Sequence, residues 1–222
     1  MYYAGKMGAD TGIQMQLFMR TGSLQGFYFY RQDLKDIPVS GRYVGDRDIE
    51  LDEPDGKGGV RGAFRLHFAE SSPEFKSDVP LQEEVLDGVW VGADGKRQLP
   101  VHVVAMRTCD VGQQEYALAG SKDPSLVEQN VQTFYHAVLH GDRNRVADCL
   151  SFPLAFYIAG KREVADNRTA FLRYYDRIFT KDFVESIAAT TPHHMFSSWR
   201  GIMLGNGEVW FDENGKATGL NN

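Results

Sequence analysis

The sequence predicts an α+β chain of two domains. An N-terminal antiparallel β-meander or small β-barrel covers residues 1–109, a linker covers 110–123, and an α+β domain covers 124–222. Three observations predict this. The first 109 residues alternate apolar with polar side chains between turn-forming dipeptides. Of the 23 glycines, 14 fall before residue 110, as a turn-rich β region requires. The apolar period then changes near residue 123 from two to helical spacing.

In the first domain Ile13, Met15 and Leu17 alternate with Gln14, Gln16 and Phe18. Gly26–Tyr30, Ile37–Tyr43, Ile49–Leu51, Val60–Phe68, Val85–Val91 and Gln98–Met106 follow as strands. Within one of them Phe64, Leu66 and Phe68 face one way and Arg65 and His67 the other. Asp55-Gly56 and Asp94-Gly95 suit tight hairpins. Seven or eight strands so spaced suggest a closed meander or a strongly curved sheet. Glu70–Glu84 is a longer polar loop, read as a plain insertion ahead of a contact surface. Tyr2, Tyr3, Phe27–Tyr30 and Trp90 are expected to fill the interior rather than hold a ligand.

In the second domain Asp123 is the expected N-cap and Pro124 the first helical residue. Val127, Val131, Phe134, Tyr135 and Val138 then share a helix face that ends at Gly141. Asp142, Asn167 and Thr180 cap three further helices, and Phe152–Ala159 is a strand. Met195–Leu204 reads as one long strand, followed by a turn at Asn206-Gly207 and a strand over Glu208–Phe211. A turn at Asn214-Gly215 leads to a last strand over Ala217–Leu220. Helices followed by antiparallel strands are α+β order.

The composition is that of a globular chain, 42% hydrophobic and 24% charged. A net charge of −6, split almost evenly between the halves, argues against nucleic acid as a partner. No apolar run is long enough to span a membrane. Two isolated cysteines, Cys109 and Cys149, do not form a zinc site. They are either a disulfide in an oxidising compartment or two buried thiols. Met1 leads straight into Tyr2 and Tyr3 with no basic and apolar leader, so the chain is expected to be cytoplasmic or a mature form restarted with methionine.

Three stretches carry a resemblance: 126-LVEQNVQTFYHAVLHGD-142, 151-SFPLAFYIAGKREVADNRTAFLRYYDRIF-179 and 199-WRGIMLGNGEVWF-211, with the tail 212-DENGKATGLNN-222. They resemble the nuclear-transport-factor-2-like superfamily, also called SnoaL-like or cystatin-like cone proteins. The pattern looks like a bacterial envelope branch in which a Gly- and Tyr-rich β domain, here 24-LQGFYFYRQDLKDIPVSGRY-43, precedes the cone. The resemblance implies a curved antiparallel sheet around helices with a pocket at the open end. It implies a periplasmic or cell-envelope binding protein, of inhibitor or immunity type, recognising a protein or a small ligand, with no cofactor. The alternative it implies is a small isomerase or dehydratase.

Candidate pocket residues are Tyr157, Tyr175, Asp176, His193, His194, Trp199 and Arg200. Asp176 in an apolar pocket, or a histidine, would be the general base of the enzyme alternative. The simpler expectation pairs Asp176 with Arg173 or Arg177 on the helix surface. His193-His194 has no Asp, Glu or third His at ligand spacing in the sequence, so no metal is expected there. His136 and His140, four apart on a helix, are expected to be solvated. Cys149 reads as a core thiol, and Trp199 and Trp210 as core residues of neighbouring strands. Gly56–Gly62 lacks the context of a phosphate loop and is a hairpin turn.

Overall fold

The computed structural model describes residues 1–20, 22–69, 84–108 and 114–222. The chain divides into two units, 1–111 and 112–222. The first is a closed antiparallel barrel of β1 (Tyr2–Met7), β2 (Thr11–Arg20), β3 (Ser23–Tyr30), β4 (Ile37–Val44), β5 (Asp48–Pro54), β6 (Val60–Ala69), β7 (Val85–Gly92) and β8 (Gln98–Arg107). Each strand pairs with its sequence neighbour, and β1 closes on β8 from Tyr2↔Arg107 to Met7↔Val101. Closure leaves no edge, which resolves the choice between a barrel and a curved sheet.

Alternation works as the sequence suggests. Ile13, Met15, Leu17, Ile49, Leu51, Phe64 and Leu66 fill the interior. Tyr3, Tyr28 and Trp90 join them, so side chains occupy this barrel's inside. At Gly62 the β6 backbone lies so close to the Trp90 indole that a Cβ there would overlap the ring. In the β5–β6 hairpin Asp55 Oδ1 accepts from the Lys57 and Gly59 amides at 2.7 and 2.8 Å. These bonds hold its carboxyl below the ordinary range. The Glu70–Glu84 loop lies outside the described residues except for Glu84.

The second unit runs α1 (Pro124–Leu139), α2 (Arg143–Asp148), β9 (Leu150–Ile158), β10 (Lys161–Ala165), α3 (Arg168–Ile178), α4 (Lys181–Ala188), β11 (Phe196–Ser198), β12 (Gly201–Leu204), β13 (Val209–Phe211) and β14 (Ala217–Leu220). Its sheet is mixed, in the order β10-β9-β14-β13-β12-β11, with β14 parallel to β9. All four expected caps form: Asp123, Asp142, Asn167 and Thr180 each accept from the amide three residues on. Between helices and sheet lies an aromatic core of Phe134, Phe156, Phe171 and Phe211.

Two expectations change, and one strand is added. Met195–Leu204 is not one strand but the hairpin β11–β12, reversing at Trp199-Arg200. Just after the reversal Gly201 has φ +127, and a Cβ there would meet the Phe211 carbonyl oxygen at 2.5 Å. Residues 114–123, expected as linker, contain a short 3-10 helix at Ala117–Ala119 and the buried Tyr116 of the second core. The strand β10, pairing Lys161↔Ile158 to Ala165↔Leu154, has too few apolar residues to be read from pattern alone.

Candidate functional site

The candidate pocket residues do not converge. On α3, Tyr175 is buried and Asp176 is 71% exposed. Asp176 pairs with Arg143 at 2.5 Å, not with Arg173 or Arg177, and the same guanidinium lies 5.1 Å from the Tyr175 ring. Asp176 is thus a solvated ion-pair partner, not a carboxylate in an apolar pocket. Burial pushes the Tyr175 hydroxyl up, and the Arg143 charge opposes this. Tyr157 is exposed on β9, where Asn222 brackets its backbone amide and carbonyl. Trp199 and Arg200 sit together at the β11–β12 turn. Trp199 is 80% exposed, not a core residue, and the Arg200 guanidinium lies 5.0 Å from its ring. Trp210 is half-buried on β13.

His193 and His194 lie in the loop before β11, with ring centroids 4.0 Å apart. Both meet carboxylates from distant sequence. His193 Nδ1 donates to Glu128 Oε2 at 2.8 Å, and His194 Nδ1 donates to Glu115 Oε1 at 2.7 Å. Glu128 also accepts from the Tyr116 hydroxyl, the His194 amide at 3.0 Å and Gln132 Nε2 at 3.3 Å. The Met195 amide closes the cluster on Tyr116 Oη at 3.1 Å. Burial, then the Glu128 and Glu115 charges, push the Tyr116 hydroxyl well above its ordinary value. Tyr116 therefore stays protonated and keeps donating. The sequence offered no signal for this cluster, because Glu128 and His193 stand 65 residues apart.

Glu128 and His193 border an open groove of about 800 Å³ along α1. His136, His140, Asp142 and Arg145 line it as well. His136 and His140 are exposed, and His140 Nδ1 donates to the His136 carbonyl at 2.7 Å. This orients its ring along the helix.

A second carboxylate cluster lies inside the barrel. Glu53 is 1% exposed. Its Oε2 accepts from Tyr28 Oη at 2.8 Å and Trp90 Nε1 at 2.9 Å, while Arg61 approaches Oε1 at 3.3 Å. Desolvation and the Glu53 contact push the Tyr28 hydroxyl far above the ordinary tyrosine range. A cavity of about 220 Å³ also opens in the barrel, lined by Tyr3, Tyr43, Phe68 and Glu84.

Cys149 is buried at the end of α2, and burial raises its thiol pKa. Cys109, and with it the expected pairing, lies outside the described residues. Among the described residues no helix is long and apolar enough to cross a membrane. No family model matches the chain, and no curated protein matches its sequence.

Proposed function

We propose that this chain is a two-domain envelope protein that binds another protein, with the β11–β12 hairpin as its recognition element. The carrying observation is Trp199, 80% exposed at the hairpin tip beside Arg200. Trp and Arg are the residue types that dominate binding energy at interfaces. An indole left this open to water buries little apolar surface on folding. Phe196 on the same hairpin is also exposed.

The proposal takes the second unit as a cone of the nuclear-transport-factor-2-like type. Its support is the strand order and the parallel β14–β9 pair enclosing the helices on one face. The core of this unit is packed with aromatic rings; Phe134 and Phe211, for example, meet edge to face at 5.4 Å. That favours a surface role. The envelope location rests on the resemblance of the sequence.

The test is affinity capture from envelope extract by the whole chain and by a Trp199→Ala, Arg200→Ala variant. The proposal expects one stoichiometric protein held by the parent and lost by the variant. Equal retention by both would overturn it.

One observation favours a catalytic second reading. His193 borders the α1 groove with Nδ1 held by Glu128, the arrangement that orients a histidine base. Asp176 has no part in that version, since it is exposed and paired.

A further inference from the structure

Extended backbone points neighbouring side chains to opposite faces. His193 and His194 escape that rule, because His194 adopts φ +47, in the left-handed region. The two rings therefore come together, with centroids 4.0 Å apart. Ligand nitrogens of the pair lie within 4.8 Å of each other. A backbone of this kind is uncommon outside glycine and persists where the surroundings hold it, often at functional sites.

In the sequence no acidic residue stands at ligand spacing from the pair. The fold brings a carboxylate behind each ring. His193 Nδ1 donates to Glu128 and His194 Nδ1 donates to Glu115. In a neutral imidazole a proton on Nδ1 puts the lone pair on Nε2, which is then the atom a metal takes. A carboxylate on the far nitrogen is what ligating histidines characteristically have. It fixes the ring and raises the basicity of the ligand nitrogen. Glu128 is itself held by the Tyr116 hydroxyl and the His194 amide. Both acids thus support the rings from behind.

Charge points the same way. The side chains of His193 and His194 are only 12% and 9% exposed, and those of Glu128 and Glu115 15% and 31%. With both imidazoles neutral, the two carboxylates leave this cluster with two negative charges. Charges drawn away from water need compensation. Two protons would supply it only as two imidazolium rings 4.0 Å apart, which repel each other. One divalent ion between the rings supplies both charges at a single point.

We propose that His193 and His194 bind one divalent transition ion through their Nε2 atoms, with Glu128 and Glu115 holding the rings. Imidazole ligands suit zinc, copper or nickel rather than magnesium or calcium. Two nitrogens leave coordination positions for water or for a group of a bound protein. The site does not rest on Trp199, and it makes His193 a ligand rather than a base.

The test is a calorimetric titration of the metal-free whole chain with Zn²⁺ at pH 7. The expected result is one ion per chain with a Kd of about 10 µM or tighter. In nitrogen NMR spectra of the histidine rings, Nε2 of His193 and His194 should shift on Zn²⁺ addition while both Nδ1 atoms stay protonated. His193→Gln and His194→Gln should each abolish binding, with circular dichroism checking that they fold. If either does not fold, the spectra of the parent and the Glu115→Ala variant still decide. Glu115→Ala should weaken binding about 10–100-fold, the usual cost of losing a group that holds a ligand. The double variant His136→Gln, His140→Gln should bind as the parent does. Absence of binding, Nε2 atoms that stay protonated in excess Zn²⁺, or binding kept by folded His193→Gln or His194→Gln would each overturn the proposal. So would Glu115→Ala binding as tightly as the parent, or loss of the ion in the His136, His140 double variant.

Discussion

Glu53 in the barrel and Glu128 in the second unit each accept a hydrogen bond from a buried tyrosine, Tyr28 in one and Tyr116 in the other. Around Glu53 the other partners are an indole and an arginine, neither of which changes charge near neutral pH. The site is sealed by packing, and its role is to complete an interior in which two ring donors need an acceptor. Around Glu128 the partners include a histidine ring, a backbone amide and a glutamine, and the carboxylate borders an open groove. The same motif thus serves as a dry structural staple in one unit. In the other it clamps the loop carrying His193 and His194 to α1, beside the groove that His193 borders. The Glu53 carboxylate is closed off from solvent, whereas Glu128 and His193 border a groove.

The largest break of this contrast is Glu53→Ala. It leaves the Tyr28 hydroxyl and Trp90 N–H buried without their acceptor. The expected loss is about 2–5 kcal/mol of stability by urea unfolding. Glu53→Gln keeps an acceptor and should lose less. Gly62→Val comes next, because its side chain would overlap the Trp90 indole. Overpacking of that kind costs about 1–3 kcal/mol, read from the same urea midpoints.

Alkaline unfolding sharpens the contrast. Tyr28 and Tyr116 have raised pKa values in the folded protein. Their stabilisation is therefore fully present below the unfolded tyrosine value of 10.0. Above it the unfolded chain releases protons that the folded one retains, so stability falls as pH rises. The slope is about 1.4 kcal/mol per pH unit for each such tyrosine. Tyr28→Phe should remove one tyrosine's share of that slope, as urea midpoints between about pH 9 and 11 would read.

The smallest effect is expected at Asp176→Ala. Its pair with Arg143 is exposed, and thermal unfolding should change by no more than about 0.5–1 kcal/mol.

What was legible in the sequence was local. The helix caps depend on residues three apart, and the barrel strands on alternation, so both could be read directly. Glu53 was legible in principle, because Ile49, Leu51 and Glu53 share the inward phase of β5. A glutamate on that phase already asks for partners. The reversal at Trp199 had a weaker sign in Gly201, which sits where the apolar alternation hid a turn. Glu115 and Glu128 beside the histidine pair, and Arg143 beside Asp176, depend on contacts between distant segments, which no spacing encodes.

The central claim is that Trp199 faces a protein partner, and a photoreactive amino acid at position 199 tests it most directly. Irradiation of the whole chain in envelope extract should give one discrete adduct, suppressed by excess unlabelled parent but not by the Trp199→Ala, Arg200→Ala variant. The same probe at Asp176, also open to solvent, should give none. Adducts at both positions alike, or none at 199, would contradict the account.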